Sequence, residues 1–119
     1  KIDNFSVLPG SELKLLKGLE IGCAGIITAT CNVTASLSRK VYEDFLKKNK
    51  QTSNEMLCNV RGVFDQFNLI SGLHSFMSDE DEIYKNVLPP ISLLDKKDQQ
   101  KLVEDLKKLN FKLGSLKAA

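Results

Sequence analysis

Apolar residues follow two different spacings near the start of this chain. Two short runs, Phe5 to Leu8 and Gly25 to Thr30, contain β-branched or aromatic side chains without helical spacing, which is typical of buried strands. Pro9-Gly10 stops the first run. Ser11 then suits a helix N-cap, and leucines follow it at helical spacing until Ile21-Gly22. This order predicts one right-handed strand-helix-strand crossover.

The remainder of the chain has the periodicity of helices. Asn32 is the expected N-cap of a long helix, and Thr52-Ser-Asn-Glu55 has the sequence of a capping box that opens the next one. A break near Asn68 to Gly72 splits the region that follows into two helices. Leu88-Pro89-Pro90 predicts an extended crossing, because proline biases its predecessor away from helix. Asp95 is the expected cap of a last helix.

Composition and charge exclude several classes of function. The 119 residues carry 17 basic and 15 acidic side chains that are interleaved, so no basic face indicates nucleic acid. No apolar run is long enough to span a bilayer, and no N-terminal targeting pattern is present. These features predict a cytoplasmic protein without a membrane or nucleic-acid partner.

The metal-ligating residue types are not arranged as a metal site. Cys23, Cys31 and Cys58 are an odd number without CxxC spacing, which favours buried free thiols. His74 is the only histidine and is expected to have a structural or surface role. The acidic segment Asp79 to Glu82 lacks the glycine and the ligand spacing of a calcium loop. We therefore predict no metal site.

Three segments carry a resemblance to a known family. They are Phe5-Ser-Val-Leu-Pro-Gly-Ser-Glu12, Gly22-Cys-Ala-Gly-Ile-Ile-Thr-Ala-Thr-Cys-Asn32 and Val87-Leu-Pro-Pro-Ile-Ser-Leu-Leu94. In content, order and spacing they resemble the dihydrodipicolinate synthase and N-acetylneuraminate lyase family, the pyruvate-using class I aldolases. The likeness extends from Phe5 to about Phe111.

The resemblance implies an α/β fold, namely the C-terminal portion of a TIM (β/α)8 barrel. Residues 1–50 are then expected to be its last two strand-helix units, residues 51–113 a C-terminal helical extension, and residues 114–119 a loose tail. A complete barrel has roughly 250 residues. The other strand-helix units are therefore expected to precede this segment.

The resemblance also implies a reaction. In this family a lysine forms a Schiff base with the keto carbon of pyruvate, and the resulting enamine attacks an aldehyde. The position of that lysine in the family lies upstream of Phe5, so Lys1 is expected to be an exposed residue without a catalytic role. The catalytic tyrosine is also expected upstream. Apart from this covalent Schiff base no cofactor is expected, and the family commonly forms tetramers of paired dimers.

The resemblance assigns substrate-binding roles to five residues. The main-chain carbonyl of Ile27 is expected beside the Schiff-base lysine, and Gly10 is expected to let the chain pass close to the substrate. Ser11, Glu12 and Thr28 are expected to form a polar rim that faces the aldehyde. The residues by themselves leave other roles open: a tight turn, barrel packing, a helix cap, and a solvated carboxylate in a first helical turn.

The sequence says less about the substrate than about the family. The synthase of lysine biosynthesis condenses pyruvate with aspartate semialdehyde, and several such synthases carry an Asn-Pro-Ile-Pro-Val-Lys type segment where this chain has Phe67-Asn-Leu-Ile-Ser-Gly-Leu-His-Ser-Phe76. This difference keeps an aldolase for N-acetylneuraminate or a 2-keto-3-deoxy sugar acid open. An alternative of another class is a non-catalytic helical module that binds a partner through apolar helix faces.

Overall fold

The computed structural model describes residues 2–113, and its regular structure there is helical. A 3-10 turn at Glu12–Lys14 leads into the first α-helix, and a second 3-10 turn lies at Glu82–Lys85. The α-helices, in chain order from α1 to α5, are Leu15–Glu20, Cys31–Leu46, Asn54–Phe64, Leu69–Met77 and Lys96–Lys108. The predictions for Lys1 and for a loose tail at 114–119 lie outside the described residues.

The predicted α/β fold, the C-terminal portion of a TIM (β/α)8 barrel, is wrong for this structure. Residues 2–113 contain no β-strand, and neither Phe5 to Leu8 nor Gly25 to Thr30 forms one. The two segments do lie side by side in parallel order. The backbone N–H of Ala24 donates to Val7 O at 2.9 Å, and that of Ile27 donates to Pro9 O at 3.2 Å.

Proline and glycine explain why this pairing is not a ladder. In a parallel ladder that contains the Ala24-to-Val7 bond, the return bond runs from the N–H of residue 9 to the carbonyl of Ala24. Pro9 has no N–H and cannot donate it. Gly25 then adopts a φ of +151°, and the next donor is Ile27 rather than Ile26. Side chains in both segments also remain outside the core, with Phe5 66% and Ile27 71% exposed.

The structure divides into two compact units, Lys1–Cys58 and Asn59–Ala119. In the first unit α1 packs on α2. Their apolar faces meet, together with Leu57 of α3, in a core of buried side chains: Leu15, Leu19, Val41 and Leu57. The periodic leucines after Ser11 therefore do form a helix that faces a core, although Leu13 is 52% exposed because it belongs to the preceding 3-10 turn.

In the second unit α4 packs on α5 and on the 3-10 turn at Glu82–Lys85. Leu73, Leu102 and Leu106 are buried there. The rings of Phe64 and Phe76 lie 5.8 Å apart in an edge-to-face arrangement, which is a favoured geometry for aromatic pairs. No helix within residues 2–113 has the length and hydropathy needed to cross a bilayer.

The helix ends confirm the cap predicted for the last helix. Asp95 accepts a hydrogen bond from the backbone N–H of Asp98 at 2.8 Å and begins α5. The predicted break is also confirmed, since Asn68 caps α4 and accepts from the backbone of Ser71 at 3.1 Å. The third helix begins at Asn54, and the Thr52 hydroxyl lies 3.4 Å from a carboxylate oxygen of Asp44.

The predicted N-cap of α2 is wrong. The helix begins one residue before Asn32, and the N-cap position belongs to Thr30, whose side chain makes no capping hydrogen bond. Asn32 donates its side-chain amide to Ala29 O at 2.8 Å instead. The hydroxyl of Thr30 does not cap the helix because it donates to the carboxylate of Glu12.

Candidate functional site

Glu12 is a carboxylate with no exposed surface, in the first turn after the Pro9-Gly10 corner. Ser11 adopts an extended conformation and its hydroxyl accepts from Leu13 N at 3.3 Å, so the 3-10 turn begins at Glu12. A carboxylate in a first helical turn is favoured by the helix dipole. Its complete burial demands hydrogen-bonding partners as well.

Three threonine hydroxyls meet one oxygen of this carboxylate. Thr28 Oγ1 donates to Glu12 Oε1 at 2.6 Å, and Thr34 Oγ1 lies 3.0 Å from the same oxygen. Thr30 donates to it too. Thr30 and Thr34 have no exposed surface, whereas Thr28 is half-buried. We call these four residues the Glu12 cluster.

The threonine spacing explains how one carboxylate reaches all three hydroxyls. Residues 28–31 form a turn, in which the backbone N–H of Cys31 donates to Thr28 O at 3.3 Å, and the Thr28 and Thr30 hydroxyls lie 3.0 Å from each other. Thr34 lies one helical turn after Thr30 on α2. Its hydroxyl is also 3.0 Å from Thr30 O. The cluster therefore ties the turn at Glu12 to the loop before α2 and to the helix itself.

The hydrogen bonds identify Glu12 Oε1 as an acceptor. Thr28 and Thr30 each direct their one hydroxyl proton to this oxygen. Burial raises the pKa of the nearby Cys58 thiol, and the charge of Glu12 raises it further. All three cysteines are free, but they are half-buried rather than fully buried as predicted.

Gly10 and the carbonyl of Ile27 lie together beside this cluster. A Cβ atom built on Gly10 would come 3.8 Å from Ile27 O, which is ordinary van der Waals contact. No described atom of this chain would therefore clash with an alanine side chain at residue 10. No described residue donates a backbone or side-chain hydrogen bond to Ile27 O. The Ile27 side chain points away from the core, with 71% of its surface exposed.

The structure thus brings the five predicted site residues to one corner of the first unit, with one difference in placement. Glu12 was expected at a solvated position or a polar rim, and it lies inside. Thr28 is half-buried at the edge of the cluster, and Ser11 caps the turn between Gly10 and Glu12. The roles of these residues toward a substrate stay predictions.

Thr30 and Thr34 are the members of the cluster that the sequence reasoning missed. The signal that could have found them is the spacing of Thr28, Thr30 and Thr34, since Thr34 lies one helical turn after Thr30 and Thr28 lies in the turn directly before it. That signal is meaningful only with an acceptor. The acceptor is Glu12, 16 to 22 residues earlier in the chain.

Other features of the described residues do not add reactive groups to this corner. A groove of about 320 Å³ in the first unit is lined by other residues, among them Leu8, Cys31 and Tyr42. Every lysine within residues 2–113 is exposed. No three His, Cys, Asp or Glu side chains in that range are grouped as a metal site would require, and the absence of a metal stays a prediction.

Comparison with known proteins decides the family. A sequence model described as the dihydrodipicolinate synthetase family matches residues 1–109 of this chain. The chain belongs to the dihydrodipicolinate synthetase family. Among curated proteins none matches the chain. The resemblance drawn from the three sequence segments is therefore confirmed at the level of the family, and membership indicates a class I pyruvate aldolase type of function.

Within this family assignment, the Glu12 cluster includes residues of two of the three segments that carry the resemblance. Glu12 ends the first segment, and Thr28 and Thr30 lie in the second. Gly10 and Ile27 belong to the same two segments. The residues that the dihydrodipicolinate synthetase resemblance selected for substrate binding are thus neighbours in the structure, although residues 10–12 are 15 or more positions away from residues 27 and 28 in the chain.

Proposed function

We propose that this chain is part of a Schiff-base aldolase that condenses pyruvate with an aldehyde, and that it supplies one wall of the aldehyde site. The observation that supports this most is the convergence of Gly10, Ile27 and Thr28 at one corner, with an acceptor carbonyl that no described residue uses. The family match over residues 1–109 supports the class of reaction.

The reaction needs an amine that is unprotonated when it attacks. Lysine amines meet this need when burial or a neighbouring cation lowers their pKa. Lysines within residues 2–113 are all exposed, and hydrogen bonding to Asp105 raises the pKa of Lys108. These observations favour a Schiff-base lysine outside residues 2–113, and the family resemblance implies that this lysine and the catalytic tyrosine lie upstream of Phe5.

The chemical steps of the proposal balance without a redox cofactor. The lysine amine adds to the keto carbon of pyruvate and water leaves, which gives an imine. Loss of a methyl proton gives the enamine, whose carbon forms the new bond to the aldehyde carbon. Water then hydrolyses the imine and returns the free amine. The acceptor carbonyl of Ile27 suits the donor groups that appear in this sequence, an amine or a carbinolamine hydroxyl.

The substrate we propose first is aspartate semialdehyde, which makes the enzyme a 4-hydroxy-tetrahydrodipicolinate synthase of lysine biosynthesis, cytoplasmic and tetrameric like members of its family. The second candidate is an aldolase for N-acetylneuraminate or a 2-keto-3-deoxy sugar acid. It is favoured by the segment Phe67 to Phe76, which lacks the synthase-type Asn-Pro-Ile-Pro-Val-Lys sequence and contributes most of α4.

Borohydride trapping tests the proposed reaction. The full-length protein is incubated with pyruvate and sodium borohydride, which reduces an imine to a stable secondary amine, and the modified peptide is located by mass spectrometry. We expect an adduct on the full-length protein and none on residues 1–119 produced alone. An adduct on any lysine of these 119 residues would contradict the assignment of the lysine, and no adduct on either protein would favour the non-catalytic module.

A further inference from the structure

The second unit contains a groove of about 460 Å³ between α4, α5 and the chain that follows α5. Its apolar lining residues are Phe76, Val103, Leu106, Phe111 and Leu113. Leu106 is buried, but the other four are half-buried, so the groove keeps apolar surface that a ligand would cover. Its volume lies in the range of pockets that bind small molecules.

The end of α5 builds one side of this groove. Asn110 adopts a φ of +54°, which asparagine tolerates better than most residues. The backbone N–H of Asn110 donates to Lys107 O at 2.9 Å, and that of Phe111 donates to Leu106 O at 3.0 Å. This is the Schellman pattern of a helix C-terminus. It folds the chain back along the helix and places the ring of Phe111 6.1 Å from that of Phe76.

The charged residues of the lining are mainly basic. Lys107 and Lys112 line the groove and are exposed, and Glu80 is the acidic residue of the lining. Within residues 2–113 neither of these lysines makes an ion pair, whereas Lys108 is paired with Asp105 at 2.7 Å. The groove therefore joins apolar walls to two ammonium groups that the described residues leave without a counter-charge.

We propose that this groove binds a small amphipathic carboxylate, with its apolar body against Phe76, Val103 and Phe111 and its acidic group toward Lys107 and Lys112. Burial of the apolar body supplies most of the affinity. The acidic group stays near water, so it gains the attraction of the lysines without a large cost of desolvation. This inference does not depend on the proposed function, because none of the lining residues belongs to the Glu12 cluster.

Three naphthalene compounds of the same size test the charge preference on the full-length protein. They are 2-naphthoate, the neutral 2-naphthamide and the cationic 2-naphthylmethylammonium, and their binding is measured by fluorescence anisotropy at low ionic strength. We expect 2-naphthoate to bind about two- to fivefold more tightly than the amide, as exposed charge pairs predict, and the cation to bind most weakly. High salt should reduce the advantage of the carboxylate.

Lys107→Met and Lys112→Met locate the acidic group, because methionine keeps an apolar side chain and removes the charge. Each should weaken 2-naphthoate about two- to fivefold and leave 2-naphthamide unchanged. Lys97→Met is the matched control, since Lys97 is an exposed lysine of α5 that does not line the groove. It should change neither affinity.

Two further variants separate charge from apolar contact. Glu80→Gln removes the acidic residue of the lining and should strengthen 2-naphthoate binding without affecting the amide. Phe111→Ala removes part of the apolar wall and should weaken both compounds several-fold and equally. Circular dichroism checks that Phe111→Ala folds, and Phe111→Leu replaces it if it does not.

Three outcomes would overturn the inference. The first is that 2-naphthoate does not bind, or binds no more tightly than the amide. The second is binding that Lys107→Met and Lys112→Met both leave unchanged, which would place the carboxylate elsewhere on the protein. The third is binding that is seen only in a variant ending at Leu113, which would make the chain's own following residues the occupant of the groove.

Discussion

Two carboxylates, one in each compact unit of this chain, are held in opposite ways. In the first unit Glu12 is fully buried and accepts from hydroxyls that are 16 to 22 residues away in sequence. In the second unit Asp105 lies on α5 and is held by lysines three and four residues away, at 2.7 Å and 2.9 Å. A long-range buried acceptor fixes irregular backbone, whereas a local pair adds modestly to a helix that packs through Leu102 and Leu106.

This comparison bears on function because the first unit has little regular structure before α2. The segments at 2–11 and 21–30 have no helix or strand, and two backbone hydrogen bonds join them. Side-chain hydrogen bonds to Glu12 are what hold the Thr28 end of the corner against the turn. A corner built in this way depends on polar contacts more than on packing.

Glu12→Ala should have the largest effect on stability. It removes the acceptor of hydroxyls that lie in or beside the core, and leaving such groups unsatisfied costs about 1–3 kcal/mol each. Thr34 can still donate to Thr30 O, and half-buried Thr28 can reach water, so we expect a total loss of about 2–4 kcal/mol. Urea denaturation followed by circular dichroism measures it.

Glu12→Gln is the control for that measurement. The amide oxygen keeps an acceptor in place, so the loss of unfolding free energy should stay near 1 kcal/mol, the difference between charged and neutral hydrogen bonds. Equal losses in the two variants would show that the hydroxyls do not depend on an acceptor at residue 12.

The reactivity of Cys58 should also change with the charge of Glu12, by less than the stability changes of the Glu12 variants. Burial is the main cause of the raised pKa of this thiol, and the Glu12 carboxylate adds to it. Glu12→Gln should therefore lower the pKa of Cys58 while burial keeps it above its ordinary value. The thiolate is the nucleophile, so alkylation by iodoacetamide at pH 8, followed by peptide mass spectrometry, should accelerate roughly twofold.

Glu55→Gln is the matched control for the thiol. Glu55 is exposed on the same helix as Cys58 and does not contribute to the shift of its pKa. Its replacement should leave the alkylation rate unchanged. An acceleration in both variants would attribute the effect to loosening of α3 rather than to the Glu12 charge.

Helical periodicity predicted the elements whose stabilising contacts are set by local pattern. A window of a few residues is enough to recognise the leucines after Ser11, the valines of α2 and the Asp95 cap. The structure confirms these features. The two strand predictions were wrong because a strand needs regular backbone hydrogen bonds to a neighbouring strand. Whether Phe5 to Leu8 finds one depends on Pro9, on the backbone at Gly25 and on donors elsewhere in the chain.

The sequence predicted which residues belong to the candidate site better than it predicted how they are arranged. The family resemblance selected Gly10, Ile27 and Thr28, and the fold brings them together. The burial of Glu12 could not be predicted, because carboxylates are mostly exposed unless paired. The hydroxyls that satisfy it come from a distant loop and from α2, so only the folded structure shows why a polar rim residue became an interior acceptor.

Asp105 should show the smallest effect, and its sign follows from its pKa. Hydrogen bonds from Lys108 and then Lys101 lower that pKa from an ordinary 3.8 to about 2. The folded state therefore binds this proton less readily than the unfolded state, and the stabilisation is present above about pH 4 and lost as pH falls toward 2. Lys108→Met should raise the pKa of Asp105, which NMR titration of the carboxyl carbon measures. Because the pair is near solvent, 1 M salt should reduce the pKa shift of Asp105. If neither salt nor Lys108→Met reduced that shift, Asp105 would be held as a buried acceptor like Glu12. The contrast between the two carboxylates would then fail.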